Sequence, residues 1–171
     1  MSGSLVLIEE VNISSSTANV ILNPIDSTYN VYMITVNNLA PITDGATPIF
    51  RVTKSGTAQT DSAYTYAVKQ LRTDTTFGNN AEIGIDSFKI NDVGTGTGEV
   101  ANMVLWLFNF PNASEYSFIT QETAQISSSG LFRGRQGGAV HAVASASDGM
   151  EFKMSSGNIA SGDFKLYGLK K

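Results

Sequence analysis

Residues 152–169 read FKMSSGNIASGDFKLYGL, and they carry the pattern of two short strands joined by a polar turn. Apolar residues alternate over residues 150–154 and again over residues 164–166, on either side of a segment of Ser, Gly and Asn. A period of two is typical of strands, and small polar residues are typical of the turn between them. We therefore expect a small all-β unit in which the second of these strands completes a sheet.

The same period of two recurs along the rest of the chain, with turn residues between the segments. Residues 29–39 and 100–110 are apolar on both faces, which is typical of central strands. Residues 63–72 fit a helix face or a strand, and their Tyr and Thr content favours the strand. Strands are predicted over residues 5–11 or 5–13, 18–22, 29–39, 49–53, 63–72, 82–90, 100–110, 116–124, 140–146, 150–154 and 164–166, with an irregularity at Asp86–Ser87 and a glycine-broken segment after Leu131–Phe132.

This pattern of about ten short strands without a convincing helix predicts an all-β fold of two antiparallel sheets packed as a β-sandwich. Long strands with long crossover loops favour jelly-roll topology. No linker or fixed-period repeat is present, so residues 1–171 are predicted to form one domain. The core is expected to be built around Trp106, with its apolar neighbours divided between the two strand faces: Val104, Leu105, Leu107, Phe108 and Phe110.

Composition narrows the classes of function. The chain has no cysteine, so disulfides, zinc–thiolate sites and thiol catalysis are excluded. The net charge is −4 and no basic run exceeds Lys170–Lys171, so no nucleic-acid partner is expected. The N-terminus lacks the features of a signal peptide, and the most apolar run, residues 103–110, is too short to span a bilayer. We expect synthesis in a cytoplasm without export by a cleaved signal and without membrane insertion.

Two features resemble parts of catalytic motifs. Residues 94–98 read GTGTG, but a phosphate loop needs a following helix and usually a lysine, so a flexible turn is the favoured interpretation. His141 is the only histidine, and no G-x-S-x-G nucleophile motif accompanies it. Its neighbours Val140 and Val143 favour a half-buried or exposed strand position, and it could bind a metal only with carboxylates from elsewhere.

The acidic residues are scattered along the chain. No pair has an obvious shared pocket, as a glycosidase would need, and the loops around Asp26 and Asp44 lack the dense acids of a dedicated calcium site. We predict no catalytic residue, no cofactor site and no metal site, and we expect the carboxylates at solvated strand edges and turns. The other acids considered are Glu9, Glu10, Asp86, Asp92, Glu99, Glu115 and Glu151.

Aromatic residues offer a binding hypothesis, because aromatic rings stack on sugars and are also common at protein interfaces. The residues that could serve either purpose are Tyr29, Tyr32, Tyr64, Tyr66, Phe77, Tyr116 and Tyr167.

Residues 13–52 read ISSSTANVILNPIDSTYNVYMITVNNLAPITDGATPIFRV, with a D-S-x-Y entry to a long strand followed by L-x-P-x-T-D-G-A. Residues 137–143 (GGAVHAV), 156–162 (SGNIASG) and 165–169 (KLYGL) add three further motifs. Together they resemble small β-sandwich virion structural proteins of tailed phages, of the decoration or tail-fibre type. The resemblance spans most of the chain, is less distinctive over residues 53–92, and brings no catalytic residues with it.

The resemblance implies a non-enzymatic structural protein on the virion surface, in contact with other virion proteins of the capsid or tail. A capsid decoration or cement protein is the preferred function, because the chain begins almost directly on a strand and shows no fibre shaft. The alternative is a tail-fibre or receptor-binding unit that contacts host glycans.

The excess of apolar residues predicts a homo-oligomer. Residues 29–39 and 100–110 have more apolar surface than one two-sheet core readily buries, and a sandwich must also protect its edge strands. A trimer is expected because capsid three-fold sites and tail fibres both present three-fold symmetry. Residues 112–114 and 133–135 are predicted to be loops that could add trimer contacts.

Overall fold

Strands are the only regular secondary structure in the computed structural model, which describes residues 4–170. The all-β prediction is confirmed. No helix in this range is long and apolar enough to cross a membrane. The strands are β1 (Leu5–Ile13), β2 (Asn19–Leu22), β3 (Val31–Pro41), β4 (Pro48–Lys54), β5 (Thr57–Ala58), β6 (Tyr64–Arg72), β7 (Gly78–Ile85), β8 (Phe88–Lys89), β9 (Ala101–Phe108), β10 (Ser117–Ile126), β11 (Phe132–His141), β12 (Gly149–Met154) and β13 (Ile159–Leu169).

The strands form two antiparallel sheets, consistent with the predicted β-sandwich. The large sheet has eight strands in the order β1-β13-β3-β9-β10-β11-β6-β7. The small sheet has five, in the order β2-β12-β4-β5 with β8 paired to β4. Strands β3 and β9 are neighbours in the interior of the large sheet, as their two apolar faces predicted. Jelly-roll topology stays a prediction.

The two C-terminal strands include the predicted residues, but β13 starts at Ile159, inside the predicted turn, and the two strands do not pair with each other. Strand β12 pairs with β2 and β4 in the small sheet, whereas β13 pairs with β1 and β3 in the large sheet. The polar segment between them therefore carries the chain from one sheet to the other. Gly157 lies in this segment with φ of 66°, a left-handed conformation that glycine adopts without steric cost.

The core lies between the inner faces of the two sheets, where alternate residues of each strand meet. Phe152 of the small sheet contacts Phe50 beside it and Phe164 of the large sheet, with ring centroids 5.8 Å and 5.6 Å apart. One cluster of buried residues includes side chains from both sheets. The apolar alternation of each strand thus becomes a single shared core.

Trp106 is not at the centre of this core, so that prediction is wrong. Strand β9 alternates strictly, and Leu105 and Leu107 are fully buried while Trp106 is half-buried on the opposite, outer face of the sheet. Of the predicted neighbours, Phe110 is buried, and Val104 and Phe108 share the outer face with Trp106. Both faces of this strand are apolar, so alternation alone did not show which face points inward.

Three predicted segments differ from the structure. Residues 82–90 are not one strand, because β7 ends in the large sheet at Ile85 and β8 joins the small sheet at Phe88. Residues 140–146 contribute only the end of β11. Residues 133–135 are not a loop, since they lie inside β11, where full pairing with β10 and β6 accommodates the glycines. Residues 63–72 contain β6, as favoured.

A buried polar network covers the inner face of the large sheet at β10, β11 and β6. Arg135 is 4% exposed, and its guanidinium donates to Asn91 Oδ1 at 3.1 Å and to the Lys89 carbonyl at 2.8 Å. It also lies 5.4 Å from the centre of the Tyr66 ring. These bonds fix β8 and the following loop against the sheet.

Candidate interaction surface

The outer face of the large sheet carries two adjacent rows of mainly apolar residues. Strand register places one residue of each of the eight strands in each row. We call these two rows the outer stripe. The first row contains Leu5, Leu169, Val31, Phe108, Phe118, Val140, Thr65 and Ile83, and the second contains Leu7, Tyr167, Met33, Trp106, Thr120, Gly138, Ala67 and Ala81.

Several side chains of the outer stripe are open to solvent. Ile83 is 83% exposed, and Leu5, Leu7 and Phe118 are between 42% and 49% exposed. Single exposed apolar residues are common, but a contiguous patch across a whole sheet marks an interaction site. The outer stripe is therefore the main candidate functional surface.

Polar residues border the outer stripe on one side. The next row across the sheet contains the Glu10–Lys165 ion pair at 3.1 Å and the Gln136–Glu122 hydrogen bond at 3.0 Å. An apolar centre with a polar border is the usual anatomy of a protein–protein interface.

A shallow groove of about 400 Å³ interrupts the outer stripe between β6, β11 and β10. Gly138 and Ala67 form its floor because they lack large side chains. Phe118 and Val140 line its wall. The groove can receive an apolar side chain from a partner, as the central pockets of interfaces do.

A second concavity, of about 370 Å³, lies at the end of the large sheet where β3 begins and β9 ends. Its lining is a mixture of polar and apolar surface and contains no charged residue. Because Val31 pairs with Phe108, this end pocket adjoins the first row of the outer stripe. Its lining residues are Ser27, Tyr29, Asn30, Asn109, Pro111 and Asn112.

His141 lies near Asp61 and Ser117, the three residue types of a catalytic triad, but its ring is not accessible to solvent. Its ring is fully buried, not half-buried or exposed as expected, and Nε2 lies 3.0 Å from Asp61 Oδ1. Ser117 is its cross-strand neighbour, but the buried Ser117 hydroxyl bonds the Ser147 hydroxyl at 3.0 Å. The ring also packs on Tyr64, with centroids 4.5 Å apart. The His141 side chain is therefore closed to solvent in this structure.

The GTGTG segment forms a turn whose backbone amides are bonded to carboxylates. Thr95 N–H donates to Asp44 at 3.0 Å, and Gly96 N–H donates to Glu99 at 2.7 Å. A phosphate would need these amides and would meet negative charge there. The segment leads into β9, so no helix N-terminus faces it, as the turn interpretation predicted.

Several of the scattered acids have structural partners. The Arg51 guanidinium pairs with two of them: it lies 3.0 Å from the Asp86 carboxylate and 3.9 Å from the Glu151 carboxylate. The Ser87 hydroxyl and the Arg51 charge keep the pKa of Asp86 below its usual range, the opposite of what a general acid needs. Among residues 4–170, no group of three His, Asp or Glu side chains is placed to hold a metal ion.

The structure separates the candidate aromatic residues into two groups. Tyr32, Tyr64 and Tyr66 are buried in the core, so the hypothesis that they stack on a ligand is wrong. Four remain available: Tyr29 in the end pocket, Tyr167 in the outer stripe, and the exposed Phe77 and Tyr116.

Comparison with known proteins adds no assignment. No family model matches the chain, and neither the curated proteins nor the solved structures gave a match.

Proposed function

We propose that this chain is a non-enzymatic structural protein of a tailed-phage virion, and specifically a decoration or cement protein on the capsid surface. The observation that carries the proposal is the outer stripe. A structural subunit needs a broad apolar surface for other protein, whereas an enzyme needs accessible reactive groups in a concave site. The resemblance of residues 13–52 and 137–169 to virion proteins supports the context.

The occupant of the outer stripe is a second copy of this chain. Eight strands about 4.8 Å apart span about 38 Å across the sheet, and two rows of about 7 Å each span about 14 Å along the strands. The outer stripe therefore covers about 500 Å² per copy. Two copies would bury about 1,000 Å², the lower limit for a specific interface, and the polar border adds to that area. The outer stripe alone is thus large enough for self-association.

The outer stripe can supply the contacts of a trimer. In a three-fold ring each subunit meets two neighbours through two different patches. The outer stripe divides naturally into a half on β1, β13, β3 and β9 and a half on β10, β11, β6 and β7. Each half can face a different neighbour, which closes the ring and covers the half-buried Trp106. Each interface then buries about 500 Å² of the outer stripe, so the polar border must supply the rest of the roughly 1,000 Å² that a specific interface needs.

The strand order supports jelly-roll topology as part of the proposal. The first strand pairs with the last, β13, and the second strand pairs with β12, in the other sheet. Strands β3 and β4 then pair with β13 and β12 on their other sides. This nested alternation between two sheets is the arrangement that a rolled-up pair of Greek keys produces.

A tail-fibre or receptor-binding unit is the second candidate. The end pocket favours it, because an uncharged concavity lined by carboxamides, a hydroxyl and an aromatic ring suits a host glycan. The same oligomeric sandwich would serve, with the pocket presented at the tip of a fibre.

Immunogold electron microscopy tests the location. Antibody to the full chain, applied to virions of the phage that encodes it, is expected to label the head at regular spacing. Label confined to the tail would overturn the decoration proposal in favour of the tail fibre. Purified virions without label would overturn both.

The non-enzymatic part of the proposal is tested at His141. His141→Ala is expected to lower stability by about 2–3 kcal/mol, because the ring is fully buried and bonded to Asp61. Virion binding of the folded variant should be unchanged. An enzymatic activity that the folded variant loses would contradict the proposal.

A further inference from the structure

We propose that the end pocket binds a neutral saccharide. Its volume of about 370 Å³ falls within the range of small-ligand sites. The lining has no carboxylate, amine or guanidinium, so nothing in it would select a phosphate or a cation. The nearby acid, Asp26, is bonded to the Thr28 amide and the Tyr32 hydroxyl.

The polar groups of the end pocket are uncommitted. Within residues 4–170, the side chains of Ser27, Asn30 and Asn109 form no hydrogen bond with another protein group, and Asn112 uses only Oδ1, which accepts from Ser114 N–H at 2.9 Å. A carboxamide presents both a donor and an acceptor, and so does each hydroxyl of a sugar. Several carboxamides around one concavity therefore match the adjacent hydroxyls of a sugar ring.

The apolar part of the lining is also suited to a sugar. Tyr29 and Pro111 present apolar surface, which the C–H face of a sugar can cover. The Tyr29 ring is fixed, because it packs on Gly168 and meets Tyr32 edge-on at 5.6 Å. A fixed ring loses little conformational freedom when a ligand binds.

The backbone adds a third observation. Asn109 has φ of 63°, a left-handed conformation that asparagine adopts more readily than most other residues with a side chain. Its carbonyl accepts the Asn112 N–H at 3.0 Å, which closes the turn that holds both carboxamides at the pocket.

Saturation-transfer difference NMR on the full chain tests the inference. The probes are the methyl glycosides of glucose, mannose and galactose, and N-acetylglucosamine, each titrated to about 100 mM. At least one is expected to give saturable signals on its ring protons with a dissociation constant in the millimolar range, about 1–10 mM. The absence of saturable signal from all four would overturn the inference.

Two variants and one control locate the site. Asn30→Ala and Asn109→Gly should each weaken binding about tenfold, and the second keeps a residue that tolerates positive φ, so the turn is retained. Asn37→Ala is the matched control, because Asn37 is an exposed carboxamide further along β3 and away from the pocket. The assignment would be overturned if both variants still bound the sugar as wild type does, or if the control Asn37→Ala weakened binding as well. It would also be overturned if adenosine bound as strongly as the sugars.

Discussion

Leu105 and Trp106 are neighbours on β9 that point to opposite faces, so replacing each with alanine separates core packing from the outer stripe. Leu105 is fully buried between the sheets. Leu105→Ala removes three carbon groups, worth about 2.4 kcal/mol at about 0.8 kcal/mol each, and the cavity raises the loss to about 3–5 kcal/mol. For a chain of 171 residues, the melting temperature should fall by about 6–20 °C.

Trp106→Ala should cost less although it removes more atoms, because solvent can fill the space that the half-buried ring leaves on the outer face. We expect about 1–2 kcal/mol. The assay is urea unfolding followed by circular dichroism, with the reference chain and both variants carrying Phe118→Asp, which should prevent association so that it does not add to stability. A loss for Trp106→Ala equal to or larger than that for Leu105→Ala would refute the assignment of faces.

Two further predictions concern local contacts. Gly168→Ala should lower the free energy of unfolding by about 1–3 kcal/mol, because the added Cβ would overlap the Tyr29 ring; an unchanged urea midpoint would contradict this packing. Hydrogen bonds from Arg72 and then from Arg133 lower the pKa of Asp74 to about 2 from its usual 3.8, so its ionised form stabilises the fold above pH 4, and that stabilisation is lost as the pH falls toward 2. Asp74→Asn should therefore be less stable than wild type near neutral pH, and the difference should shrink as the pH falls from 4 through 2; a difference that stays constant over this range would contradict the ion pairs.

The sequence allowed the strands to be predicted better than their partners. Residues 29–39 and 100–110 indicated interior strands because both faces are apolar, and β3 and β9 are neighbours inside the large sheet. The same property left the direction of Trp106 undecided, because alternation shows which residues share a face of a strand and not which face is buried. Strand β12 likewise had the right residues and an unforeseen partner.

The candidate surface could be predicted only in part. An excess of apolar residues was visible in two strands, but the outer stripe also needs Leu5, Ile83 and Phe118, which lie far apart in sequence. Only the strand order and register bring them into one row. The buried Arg135 network had no sequence signal either, because its partners Asn91 and Lys89 lie in a different segment of the chain.

Sedimentation velocity of the purified full chain at micromolar concentration tests the central claim, that the outer stripe packs against other copies. Wild type should sediment at three times the 18.2 kDa chain mass, and Phe118→Asp should sediment as a monomer, because the new charge would be buried in the interface. Ile42→Asp is the matched control: Ile42 is 51% exposed, similar to Phe118 at 42%, and lies outside the outer stripe, so this variant should remain a trimer. A wild-type monomer, or a Phe118→Asp variant that stays assembled, would contradict the account, and a stable dimer would contradict its three-fold symmetry.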